Sequence, residues 1–130
     1  KPLSPIQVML VGVRDLDPAE RDFIAHHQLV NLEVGTTGIT ARVIDELAVR
    51  GVQHVYIHLD LDALDPNAFP YMHYPAPSGF SVADVTAIVQ ALADGFAVVG
   101  MSITEYDSVD GKGLDIIAPL LDQFRALSHK

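Results

Sequence analysis

The chain has 130 residues, 49% of them hydrophobic, which is the size and apolar fraction of one globular domain, so residues 1–130 are read as a single unit able to bury a core. With 8 Lys plus Arg against 17 Asp plus Glu, the formal charge of -9 repels phosphate backbones and anionic lipid, which excludes nucleic acid and membrane surfaces as partners. The absence of cysteine removes disulfides, thiolate metal sites and a cysteine nucleophile, and leaves oxygen or imidazole to hold any metal.

The chain opens on Lys1-Pro2-Leu3-Ser4-Pro5, without the long apolar stretch of a signal peptide. No later run approaches the ~20 apolar residues of a membrane span, and the cytoplasm is the expected location. From Ile6 to Val13 the residues are almost continuously apolar, as in a strand covered on both faces, which points to a parallel sheet. Opening so close to the start, this strand is a sheet edge unless something upstream pairs with it. Asp17-Pro18-Ala19-Glu20 reads as a helix start, with Asp17 as N-cap and Glu20 closing a capping box, and the helix reaches His26 or His27. A short strand near Leu29 to Leu32 precedes a helix from about Ala41 to Arg50, where Gly51 takes the left-handed C-terminal position.

His54 to Leu61 is the second clear strand, followed by a long loop rich in Pro and aromatics from Asp65 to Gly79. Ser81 with Asp84 opens a helix carrying the stripe Val82, Val85, Ile88, Val89 and Leu92, and Gly95 ends it. Phe96 to Ile103 is a third buried strand, and a last helix shows Ile116, Ile117, Leu120, Leu121, Phe124 and Leu127 on one side. Strands alternating with helices predict an α/β fold of three layers, α/β/α, around a mainly parallel sheet with right-handed crossovers.

Ligands of open parallel sheets bind beyond the carboxyl ends of the strands, which directs attention to His58-Leu59-Asp60-Leu61-Asp62-Ala63-Leu64-Asp65-Pro66. Strand alternation puts His58, Asp60 and Asp62 on one side, the two carboxylates roughly 6–7 Å apart. Such a pair repels itself in a dry site unless a cation lies between, and oxygen ligation favours magnesium, calcium or manganese. An isolated Asp-x-Asp more often just ends a strand in solvent, but here a third Asp, a Pro and a long loop follow directly. His58 has two readings, a hydrogen-bonded strand histidine or a side chain supporting a metal-bound carboxylate. His54 and His58 are about 13 Å apart on a strand and cannot share an ion.

Asp60-Leu61-Asp62-Ala63-Leu64-Asp65-Pro66, with the turn Ser78-Gly79-Phe80-Ser81, resembles the Asp-x-Asp-x-x-Asp-Pro signature of the ureohydrolase superfamily of arginases, agmatinases and formimidoylglutamases. Gly12-Val13-Arg14-Asp15-Leu16-Asp17-Pro18-Ala19-Glu20 is similar to arginase's Gly-x-Arg-Asp-x-Asp-Pro-x-Glu, so the resemblance covers nearly the whole chain. It implies the C-terminal half of the arginase fold and a hydrolase that splits a guanidino compound into urea and an amine. Two manganese ions (Mn2+) belong to the complete site: Asp60 would bridge them and Asp62 would bind one, with the attacking water activated between them. Glu105 matches the glutamate that pairs with the substrate guanidinium, and Asp17 and Glu20 match residues that reach its α-amino group. A capping box accounts for the last two equally well.

The sequence also departs from that pattern. The superfamily's other metal ligands come from an upstream Asp-x-His-x-Asp motif and a separate His, and no Asp-x-His-x-Asp occurs in these residues. The fragment alone is therefore expected to be inactive. Where arginases carry Thr-Gly-Thr-Pro, this chain has Met72-His73-Tyr74-Pro75, so the wall of the guanidinium pocket is expected to differ and His73 stands over the site. The Asp17 and Glu20 match favours an amino acid such as arginine over agmatine. Family habit implies a trimer or hexamer. Two rivals are a non-catalytic arginase-fold scaffold or fragment that needs an upstream chain, and a sugar-nucleotide transferase whose Asp-x-Asp holds a metal diphosphate.

Overall fold

The structure is a computed structural model that describes residues 2–127, leaving Lys1 of the opening stretch outside the described residues. Its elements run in the expected order: β1 (Met9–Val11), α1 (Pro18–His27), β2 (Val30–Leu32), α2 (Ile39–Val49), β3 (His54–Asp60), α3 (Val82–Gly95), β4 (Ala97–Thr104) and α4 (Ala118–Leu127). Both strand pairings, β1 with β2 and β3 with β4, are parallel.

The first strand is shorter than the apolar run suggested. Ser4 and Gln7 close a capping box that draws Pro5–Gln7 into a single 3-10 turn. At the other end Gly12 adopts φ +75, a conformation that breaks the ladder. The helix starts follow their caps. The Asp17 carboxylate accepts from the Glu20 amide while Glu20 accepts from that of Asp17, each at 2.8 Å. Ser81 and Asp84 repeat the arrangement at the start of α3.

α3 divides its apolar stripe between two cores. Val85 and Val89 join Leu59, Leu61, Leu64, Phe69, Ile117, Leu120 and Phe124 beneath β3, β4 and α4. Ile88 and Leu92, one residue before and three after Val89, join Leu32 and Val43 beneath β1, β2 and α2. Two rows at i, i+4 spacing on one helix thus tie the halves together.

Two features depart from the sequence reading. Among the described residues the ladders form two separate two-stranded sheets rather than one continuous sheet. Nor are the long strands covered on both sides: along β3 the residues alternate, with Val55, Ile57 and Leu59 facing the core and His54, Tyr56 and His58 exposed. On that open side Tyr56 and Val99 are 62% and 64% accessible. A register shift between Val55 and Tyr56 sets the Tyr56 ring against Gly100, where a methyl group would meet ring carbons at about 3 Å, so the glycine seats the ring that no helix covers.

Candidate metal and guanidinium site

β3 delivers Asp60 to the end of the β3–β4 pair, but the strand stops there. The Asp60 Oδ1 accepts from the Asp62 amide at 2.8 Å and caps a 3-10 turn, Leu61–Ala63. Leu61 and Leu64 are both fully buried, a spacing of three that a turn satisfies and an extended strand does not. The expectation that Asp62 continues the strand face of His58 and Asp60 is therefore corrected: its side chain instead reaches the following loop. There the Tyr74 amide donates to Oδ2 at 3.2 Å and to Oδ1 at 3.4 Å.

Asp60 still lies near Asp62, and β4 brings in a third carboxylate. Thr104 pairs with Asp60 across the ladder, so Glu105 is the next residue beyond the strand end. Glu105 holds φ +62, a left-handed conformation costing a non-glycine residue about 1–2 kcal/mol. That turn sends the chain back along the loop. Tyr106 bridges Met72 in antiparallel fashion, and the Asp107 amide donates to the Tyr71 carbonyl at 3.0 Å. Above them the His73 Nδ1 stands 3.5 Å from the Asp107 carboxylate, both side chains more than half exposed.

The other three predicted site residues have partners of their own. Asp17 and Glu20 bind each other's amides at the start of α1, with one oxygen of each carboxylate engaged in the box. His58 takes Ser102 of β4 as partner, Nδ1 to Oγ at 2.8 Å. The sequence reading missed a backbone contributor, the Tyr74 amide, and also Arg14. The guanidinium of Arg14 donates to the Asp62 carbonyl at 2.6 Å; the residue stands in the Gly-x-Arg-Asp stretch that resembles arginase, but no role was read from it.

The family model for the arginase family matches residues 1–113. The chain belongs to the arginase family. Among curated relatives, the arginase of Staphylococcus aureus (strain COL) is 28% identical over 109 residues, covering 79% of this chain and 36% of that protein. The arginase of Brucella melitensis biotype 1 is 27% identical over 134 residues, covering 92% of this chain and 43% of that protein. The crystal structure of Helicobacter pylori arginase shares the fold, with TM-score 0.85 at 21% identity over 96% of this chain and 44% of that one. This arginase-family chain thus spans less than half the length of the relatives it matches, and the family match decides against the sugar-nucleotide transferase. No helix among the described residues is long and apolar enough to cross a membrane.

The electrostatics fit a cation beside Asp62. Partial burial raises the pKa of its carboxyl, and the charges of Asp60 and Glu105 raise it further, against the opposing Tyr74 amide and the His73 ring. Oxygen donors in mutual repulsion suit a hard divalent ion. Among the described residues, no group of three or more His, Asp or Glu side chains is placed to hold a metal ion.

A pH dependence follows for the metal-free protein. Because the folded state holds the Asp62 proton to higher pH than the unfolded chain does, this group stabilises at low pH and its contribution is lost as pH rises through the elevated pKa. Asp62→Asn keeps an acceptor for Tyr74 and removes the effect. In urea denaturation with chelator present, the variant is expected to be the more stable protein at neutral pH, the gap closing below the usual carboxylate range. A constant gap at all pH values would contradict this.

Proposed function

We propose that this chain supplies one part of a manganese-dependent ureohydrolase site that splits a guanidino compound resembling arginine into urea and an amine. The observation carrying this reading is the meeting of Asp60, Asp62 and Glu105 at one end of the β3–β4 pair, where each of the other two charges acts on Asp62. Asp60 and Asp62 would hold two Mn2+ ions together with ligands from outside these residues. When bound, the metals supply an activated water and positive charge for the tetrahedral centre.

The chain's own residues do the rest. Glu105, aimed by its left-handed backbone, accepts the planar donor fork of the guanidinium, for which a carboxylate is the matching partner. Asp17 and Glu20 receive the substrate's α-ammonium through the oxygens their capping box leaves over. His58, tethered to Ser102, supports the strand end behind Asp60. The same reading puts the protein in the cytoplasm, in a trimer or hexamer, and makes this chain inactive by itself.

Manganese titration followed by electron paramagnetic resonance tests the site. Weak binding is expected for the chain, and its loss in the Asp60→Asn, Asp62→Asn double variant. Equal binding by both proteins would rule out the assigned ligands, and urea release from the chain alone would overturn its inactivity.

A further inference from the structure

We propose that Arg14 is the positioning residue of this site, fixing the turn that carries Asp62 and the loop segment whose Tyr74 amide holds the Asp62 carboxylate. Its importance to a metal ligand rests on the function proposed above; its action on the backbone does not.

Arg14 follows β1 by three residues and is partly buried. Its Nη2 donates to the carbonyls of Asp62 at 2.6 Å, Ala76 at 2.9 Å and Leu64 at 3.4 Å. Its Nη1 donates to the carbonyls of Ala63 at 3.0 Å and Gly12 at 3.3 Å. One planar group thereby joins three segments that lie up to 62 residues apart in sequence. All five partners are backbone carbonyls, and among the described residues Arg14 pairs with no carboxylate, so what the guanidinium supplies is geometry and not charge neutralisation. The Nε atom, closed to solvent, has no protein partner, so the hydrogen bonds of the side chain all lie at the fork.

The link to Asp62 is double. Below, three consecutive carbonyls of the turn, from Asp62 to Leu64, converge on the fork and hold the backbone from which the carboxylate projects. Above, Ala76 is separated from Tyr74 only by Pro75, whose fixed φ passes the anchorage of the Ala76 carbonyl to the Tyr74 amide. Phe80 also ties the far end of the loop to Ala63 and Asp65, but the segment from Tyr74 to Ala76 is held to the turn only by the fork and by the Tyr74 to Asp62 bond among these contacts. Lysine keeps the charge but offers one nitrogen, which cannot span this set of carbonyls.

Hydrogen exchange of the full chain, without metal, tests the proposal with Arg14→Lys and Arg14→Met. The amides of Asp62 and Tyr74 are expected to exchange about tenfold faster in both variants, while those of α2 and of the β1–β2 ladder stay within about twofold of the unmutated protein. Val43→Ala, which opens the other core, is the control for a general loss of stability. Should Asp62 and Tyr74 exchange as before, or accelerate only as much as in Val43→Ala at matched global stability, Arg14 is a structural residue and the proposal fails. If Arg14→Met does not fold, the lysine variant decides by the same comparison. Manganese binding, measured on the same proteins, is expected to weaken about 10–100-fold. No binding by the unmutated chain would sink the metal-site reading and leave the exchange result to judge Arg14.

Discussion

Gly79→Ala is expected to destabilise the protein by about 3 kcal/mol and to lower its melting temperature by about 10 °C. A methyl group on Gly79 would fall inside the envelope of the Leu64 carbonyl carbon and oxygen and of the Asp65 nitrogen, all main-chain atoms. None of these can yield cheaply. The Phe80 amide donates to the Ala63 carbonyl and the Asp65 amide to the Phe80 carbonyl, each at 2.9 Å, and Leu64 is fully buried. The turn from Ser78 to Ser81 is therefore clamped on the segment that directly follows Asp62, and relief of the clash must separate them. Thermal unfolding followed by circular dichroism is the check. A variant melting within about 2 °C of the unmutated protein would show that the two segments are not in contact.

Phe69→Ala is expected to cost about 3–5 kcal/mol, in the range for deleting a buried aromatic ring. Phe69 lies in the long loop and is nonetheless 0% exposed. Its ring stands edge-on to Tyr71, centroids 5.8 Å apart, and tilted over Tyr106 at 6.4 Å. Tyr106 follows Glu105, and the Tyr71 carbonyl receives the Asp107 amide, so the cavity would open under the segment that carries Glu105. Chemical denaturation gives the stability. Exchange of the Asp107 amide reports whether the loop and the strand end separate, and no change there would mean that Phe69 serves the core alone.

Much of this was legible in the residues because local signals and tertiary packing agree. Asp17 with Glu20, and Ser81 with Asp84, mark helix starts that the structure reproduces bond for bond. The stripe on α3 became the core of both halves. Less legible was anything set by a competing local bond. A period of two places Asp62 beside Asp60, but the Asp60 carboxylate reaches the Asp62 amide first and curls the chain into a turn. The burial of Leu61 and Leu64 fits the turn, yet apolar identity does not tell a spacing of three from one of two when the run is so short.

Coverage of the sheet was likewise beyond reach of composition. Val99 falls in a strand expected to be buried, and the structure leaves it, with Tyr56, on the open side. An apolar side chain shows what a position tolerates, not which element lies over it. Arg14 was visible in the Gly-x-Arg-Asp stretch, but its contacts were not, since its partners are main-chain carbonyls that side-chain identity does not reveal. The charges of Asp60 and Glu105 act on Asp62, while the way Asp62 is held depends on an amide that any residue at position 74 other than proline would supply.

The open side of β3 and β4 sets Tyr56 and Val99 outward on a chain whose net charge is -9. Taken by itself, this chain is held apart from its copies by charge over a distance that salt shortens to about 8–10 Å at ordinary ionic strength. Self-association is therefore expected to rise with salt, and light scattering over a salt series is the check.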